Sequence, residues 1–160
     1  MLTFSKSDSG VYRLQSEILI PFPLSVVFDF FAKAENLEVI TPPFLNFQIL
    51  TPKPIEMHQG TLIDYQIRLH GFPLNWKTEI TDWEPPHRFV DNQIKGPYRL
   101  WRHEHTFQEQ EKGTLVIDKV DYSVYGGPLI NWLFVRRDLE RIFRYRHERL
   151  KEFTAEGIKN

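Results

Sequence analysis

Cysteine is absent from the chain. Disulfides, thiolate nucleophiles and cysteine-ligated zinc are therefore excluded, while the compartment is left open. Net charge is nearly absent too: 20 Lys and Arg stand against 21 Asp and Glu, a formal −1 with histidine neutral. That balance gives no bulk electrostatic pull toward nucleic acid or a bilayer. No apolar run approaches the ~18 residues of a membrane span. The N-terminal MLTFSKSDSG lacks the apolar core of a secretory signal. No Gly-rich phosphate loop and no nucleophilic-serine motif occurs. These absences predict a cytoplasmic protein with no nucleic-acid partner and no stable membrane insertion.

Aromatic side chains are plentiful: 13 Phe, 6 Tyr and 4 Trp in 160 residues. They carry large apolar area in few positions, and so either thicken a core or line a roomy apolar cavity. The length suits one domain over 1–160, with a core of about 11–154, and needs no staples. VYRLQSEILI (11–20) reads as a first strand. Two short helices follow, about 24–33 and 36–40, the second stopped by Thr41-Pro42-Pro43. FLNFQIL (44–50) reads as a second strand, and five more alternating segments run from 60 to 125 between turn residues.

From 129 to about 154 the period becomes 3.6. Trp132, Val135, Leu139, Ile142, Phe143, Leu150 and Phe153 form a stripe. The arginines from Arg136 to Arg149, with Arg146 counted among them, alternate with Asp138, Glu140, Glu148 and Glu152 and read as a solvated face. The predicted class is α+β. A curved seven-stranded antiparallel sheet wraps a long C-terminal helix, with two short helices between strands one and two.

The segment RLWRHEHTF (99–107) alternates without a slip. Trp101, His103, His105 and Phe107 share one face; Leu100, Arg102, Glu104 and Thr106 share the other. Hairpin pairing extends the histidine face. A tight turn at Gly71-Phe72 sets Tyr65 opposite Thr78 and Ile67 opposite Trp76. A four-residue turn at 109–112 sets His103 opposite Asp118; a shift by two sets His105 opposite Asp118 instead. Either register leaves Asp118, Val120 and Tyr122 on that face. The Gly96-Pro97 hairpin adds Asp91 and Gln93 in an even register. An apolar concavity with a few convergent polar groups is the general form of a small-molecule site.

The order of elements resembles the START-like, helix-grip (SRPBCC) superfamily over about residues 11–154. More narrowly it is similar to a bacterial branch labelled cyclase/dehydrase or ligand-binding START-like protein. The residues carrying the likeness are IPFPLSVVFDFF (20–31), NLEVITPPFLNFQIL (36–50), the long motif from Gly60 to Phe107, and GTLVIDKVDY (113–122). The resemblance implies a cavity between sheet and long helix suited to a hydrophobic ligand. It implies no particular reaction, because one scaffold hosts many functions.

His103 and His105, two residues apart on one strand, can converge on a metal with Asp118 as third ligand. That spacing is a weak metal signature, and a hydrogen-bonded cavity wall is the simpler reading, so no metal and no cofactor are expected. The same His103, His105 and Asp118 can form an acid–base unit for a cofactor-free cyclase or dehydratase. Buried His–Asp pairs also arise as plain satisfaction of polar groups. Binding is therefore favoured over catalysis. The expected ligand is a small hydrophobic molecule such as a lipid, isoprenoid or polyketide-like ring. Tyr65, Ile67, Trp76, Trp101, Val120, Ile142 and Phe143 supply its apolar contacts. Asp91, Gln93, His103, His105, Asp118 and Tyr122 orient its polar head. A protein-interaction module with a filled core is the remaining alternative. The prolines and aromatics around Pro42-Pro43-Phe44 and Pro52-Pro54 are expected to rim the cavity mouth.

Overall fold

The computed structural model describes residues 1–156, with side chains as far as Glu152. Phe153 of the expected stripe lies outside the described side chains. Eight strands form one antiparallel sheet: β1 (Leu2–Lys6), β2 (Tyr12–Ile20), β3 (Gln48–Ile49), β4 (Leu62–Leu69), β5 (Phe72–Glu84), β6 (Arg88–Lys95), β7 (Tyr98–Gln110) and β8 (Gly113–Val124). Their order is β1-β2-β8-β7-β6-β5-β4-β3. Helix α1 (Leu24–Phe31), a 3₁₀ turn Ala34–Asn36 and α2 (Leu37–Ile40) connect β2 to β3. After β8 come α3 (Gly127–Ile130), a π-helical stretch Asn131–Val135 and α4 (Arg136–Glu156), run together as one rod.

The sheet has eight strands, one more than expected. The extra one is β1, paired with β2 from Leu2↔Ser16 to Lys6↔Tyr12. It is only five residues long, and its alternation rests on Leu2 and Phe4 alone, too short a pattern to read as a strand. The expected strand at 44–50 shrinks to Gln48–Ile49. Pro43 instead opens a 3₁₀ turn through Leu45, closed by Asn46 in the left-handed region. Proline has no N–H to give a ladder and fixes φ for a helical turn.

Turn chemistry sets the registers. His70 and Gly71 both have positive φ (50° and 84°), the form of a type I′ turn. The turn therefore sits one residue earlier than Gly71-Phe72, and Tyr65 faces Trp76 while Ile67 faces Leu74. The β7–β8 turn is Glu111-Lys112, so His105 faces Asp118 and His103 faces Val120. Of the two registers open to the sequence, this is the shifted one. Gly113 just after that turn has φ +135°, and a Cβ there would lie 2.2 Å from the Ile20 carbonyl oxygen. Register breaks between β5 and β6 and near Tyr98 in β7 bend the sheet.

Strand β8 alternates half-buried and buried along its whole length. Its buried parity, with that of β7, faces α4 across two apolar clusters. One joins α1 to the sheet through Phe28, Phe31, Phe89, Phe107 and Val116. The other joins α4 through Leu14, Val120, Tyr122, Leu139 and Phe143. Burying a Leu or Phe contributes roughly 2 kcal/mol apiece over exposure. The predicted wet face holds ion pairs: Arg88 and Arg102 meet Glu104 at 3.3 and 3.1 Å, and Lys77 meets Asp64 at 3.1 Å. No helix among the described residues is long and apolar enough to cross a membrane.

Two expectations on the long helix are corrected. Trp132 is 66% exposed, because the π-helical stretch around it carries an extra residue per turn and breaks the stripe's phase. Arg146 is only 8% exposed. It stands three residues after Phe143 and four before Leu150, on the buried stripe itself.

Candidate functional site

Between sheet and long helix lies a cavity of about 260 Å³. That is near the lower end of the ~300–1,000 Å³ usual for small-molecule sites. Ile63, Tyr65 and Ile67 of β4 wall it, with Trp76 of β5, Trp101 of β7, and Ile142 and Phe143 of α4. Tyr65 stacks on Trp76 at 5.6 Å, and Trp76 meets Trp101 edge-on at 5.2 Å. Tyr125 and Ile130, both exposed, stand where the wall reaches the surface. Thr41, Leu45, Phe47 and Met57 line the cavity near the proline-rich segments. Pro52 and Pro54 are absent from the lining, and Phe44 turns outward under Arg141, whose guanidinium lies 4.1 Å from the ring.

One pole of the cavity is polar. Asp91, His103, His105 and Arg146 line it. Phe89 and Phe31 hold His105 from the α1 side, Phe89 stacking on it at 4.2 Å. Trp101 and Phe143 flank His103. The two imidazoles lie 3.8 Å apart, centre to centre. Asp118 sits behind both, 1% exposed and off the cavity wall. Its Oδ1 accepts from His103 Nε2 at 3.1 Å and lies 2.8 Å from His105 Nδ1, near in distance but off the line of a hydrogen bond. On the cavity side His105 Nε2 donates to Asp91 Oδ2 at 3.0 Å, and His103 Nδ1 stands 3.7 Å from the same oxygen. Arg146 Nη1 lies 3.9 Å from Asp118 Oδ2.

Burial alone would neutralise all these groups, and their contacts decide otherwise. Burial pushes the Asp118 carboxyl up, but the hydrogen bond from His103 and the close His105 imidazole hold it well below the usual range. Asp91 is likewise pushed up by burial and brought below its usual value by His103, His105 and Arg146. Burial and the neighbouring His105 lower His103, outweighing Asp118 and Asp91. Burial also lowers His105, but its two carboxylates more than reverse this and leave it raised. The two imidazoles thus differ in basicity, His105 being the stronger base and His103 the weaker.

Several expected contacts are placed elsewhere. Asp118, Val120 and Tyr122 share the histidine face but lie beneath the wall, in the packing between sheet and helix. Burial pushes the Tyr122 hydroxyl up to about 12. Gln93 leaves the lining altogether: it donates to the Tyr98 carbonyl at 2.8 Å and accepts from the Tyr98 N–H at 3.3 Å, bracing the β6–β7 hairpin. Arg146 was missed as a site residue. Its place on the apolar stripe, in line with Phe143 and Leu150, was the available signal. Beside it, His147 Nε2 lies 2.6 Å from the hydroxyl of fully buried Ser16, the β2 residue facing Asp118.

The family model for polyketide cyclase/dehydrase and lipid transport matches residues 20–144. No curated protein matches the sequence significantly. Among solved structures, the chain is similar to the Zhui aromatase/cyclase of Streptomyces sp. R1128. The TM-score is 0.70 at 14% identity, covering 93% of this chain and 96% of that one. It is also similar to protein Ms6760 of Mycobacterium smegmatis, with TM-score 0.68, 17% identity, and 98% and 100% covered. Ara h 8.0201 gives TM-score 0.65 at 13% identity, with 92% and 100% covered. At such identities these likenesses carry the fold alone. The family match spans most of the chain, and with the sheet wrapped on its long helix it places the protein: the chain belongs to the polyketide cyclase/dehydrase and lipid transport family, within the START-like helix-grip superfamily.

Proposed function

We propose that this chain binds a small hydrophobic molecule bearing an acidic or carbonyl oxygen, held with its apolar body against Tyr65, Ile67, Trp76, Trp101, Ile142 and Phe143. One observation carries the reading: the cavity wall contains buried polar atoms that make no hydrogen bond among the described residues. They include the donors Trp76 Nε1 and Arg146 Nε and Nη1, the last standing 3.9 Å from Asp118 Oδ2, beyond hydrogen-bond length. An unpaired buried donor costs about 1–3 kcal/mol, and more when charged, so the wall is arranged for an acceptor that arrives from outside. The family's description covers ring-forming and dehydrating enzymes as well as lipid carriers, and all of these handle hydrophobic molecules.

The test uses decanoate and decanol, an acid and an alcohol of one chain length, followed through quenching of tryptophan fluorescence. Decanoate binds more tightly than decanol, and Arg146→Met removes the difference while leaving decanol binding in place. Ile67→Trp fills the cavity and weakens both. If neither probe binds, or if both bind equally to the wild type and to Ile67→Trp, the reading fails.

A further inference from the structure

The two histidines and Asp91 gather three metal-ligating side chains at one pole of the cavity. Each neutral imidazole has one N–H and one lone pair. Asp118, an acceptor, faces His103 Nε2 and His105 Nδ1 from behind, at 3.1 and 2.8 Å. With its ring proton on Nε2, His103 presents a lone pair at Nδ1 on the cavity side, and His105 Nε2, which here donates to Asp91, presents one when a metal ion displaces its proton. The group they meet there is a carboxylate oxygen, Asp91 Oδ2, at 3.7 and 3.0 Å. One possible ligand atom from each of the three residues lies within 4.8 Å of the others.

We propose that Asp91, His103 and His105 form a binding site for a divalent first-row transition ion, with Asp118 as a positioning residue. The chemistry of the donors fits. Two imidazole nitrogens and one carboxylate oxygen suit zinc or iron(II), which leave further coordination positions for water or a substrate. The usual ligand distance is about 2.0–2.2 Å, and donors already gathered this closely reach it through small side-chain shifts. A carboxylate behind the ligating histidines fixes ring orientation and raises ligand basicity, which is the place Asp118 occupies. All three donors line the cavity, whereas Asp118 does not, so the open positions of the ion face the space where a ligand would lie. The nearby cation Arg146 approaches the Asp118 oxygen that the histidines leave free.

Sequence reasoning places Asp118 as third ligand because it shares the histidine face. The register instead sets Asp91 opposite His103 and Phe89 opposite His105, bringing Asp91 to the front and leaving Asp118 behind. The assignment does not depend on the hydrophobic-ligand reading: a protein that ignores decanoate still has the three donors.

The experiment takes the full chain, strips it with chelator, and titrates it with zinc by calorimetry and with cobalt(II) by visible absorption. One equivalent binds. Cobalt gives d–d bands of a nitrogen–oxygen site, and zinc raises the melting temperature. Asp91→Asn, close in volume to the wild type, and His103→Ala each weaken zinc by about a hundredfold or more, while Asp118→Asn weakens it about 10–100-fold. His58→Gln, at an exposed histidine, changes nothing. Absence of stoichiometric uptake by folded wild-type protein overturns the proposal. So does uptake that survives in folded Asp91→Asn and His103→Ala.

Discussion

At the scale of single residues, His147 is the group whose protonation bears most simply on stability. It is half-buried against Ser16, and burial, with the charge of the N-terminus, holds its pKa below the ordinary value of 6.5. The folded state therefore resists taking a proton that the unfolded chain accepts. Stability from this group is complete above the unfolded pKa of about 6.5 and is lost as pH falls through the lower folded value. His147→Gln keeps a polar partner for Ser16 and removes the titration. Urea unfolding at pH 7.5 and at pH 5.5 should show a larger drop for the wild type than for His147→Gln. Parallel drops would reject the assignment. Arg146, its neighbour, faces a different problem. A guanidinium on an apolar stripe carries a desolvation cost that the Asp118 carboxylate 3.9 Å away offsets only in part.

At the scale of elements, turns and close approaches decide what the strands can do. Gly113 begins β8, and its missing side chain lets β8 lie against the Ile20 carbonyl. Gly113→Ala forces an unfavourable φ and a backbone clash together, and should destabilise the protein by at least about 2 kcal/mol in urea titration. A midpoint equal to the wild type would mean that the β2–β8 pairing relaxes around the methyl group. The same elements show what the sequence made legible. Period-two alternation fixed the faces of β4 through β8, and with them the common side of Trp101, His103, His105 and Asp118. It did not fix registers, because a shift of two residues preserves every face. The histidine partnered by Asp118 was therefore open, and so was the place of Asp91 at the front. Strand β1 was hard to see because its alternation rests on Leu2 and Phe4 alone. Arg146 was misplaced because its charge was read before its spacing, and Gln93 because parity cannot show a side chain folding back on its own hairpin.

At the scale of the whole molecule, the cavity and the core are one structure. The lining aromatics also pack one another, and His105 and His103 lie between the two apolar clusters. A molecule bound in the cavity therefore adds contacts to the core itself. Decanoate at 100 times its dissociation constant should raise the unfolding free energy by about 2.7 kcal/mol, seen as a melting temperature that climbs with ligand concentration. A dose-independent melting temperature would count against a binding cavity continuous with the folded core.

The strand order also has a consequence in time. Strands β4 to β8 form an unbroken meander, each beside the next in the chain, and they carry Asp91, His103, His105 and Asp118. Strand β2 is made early, yet its inner neighbour is β8, about a hundred residues further on. During synthesis the N-terminal segment must wait with one edge unpaired while the meander emerges from the ribosome. Closing so long a loop is the slow kind of contact formation. The carboxylates and imidazoles of the polar pole can thus assemble from nearby chain, while β2 waits for the eighth strand and Arg146 arrives later still, on the helix that follows it.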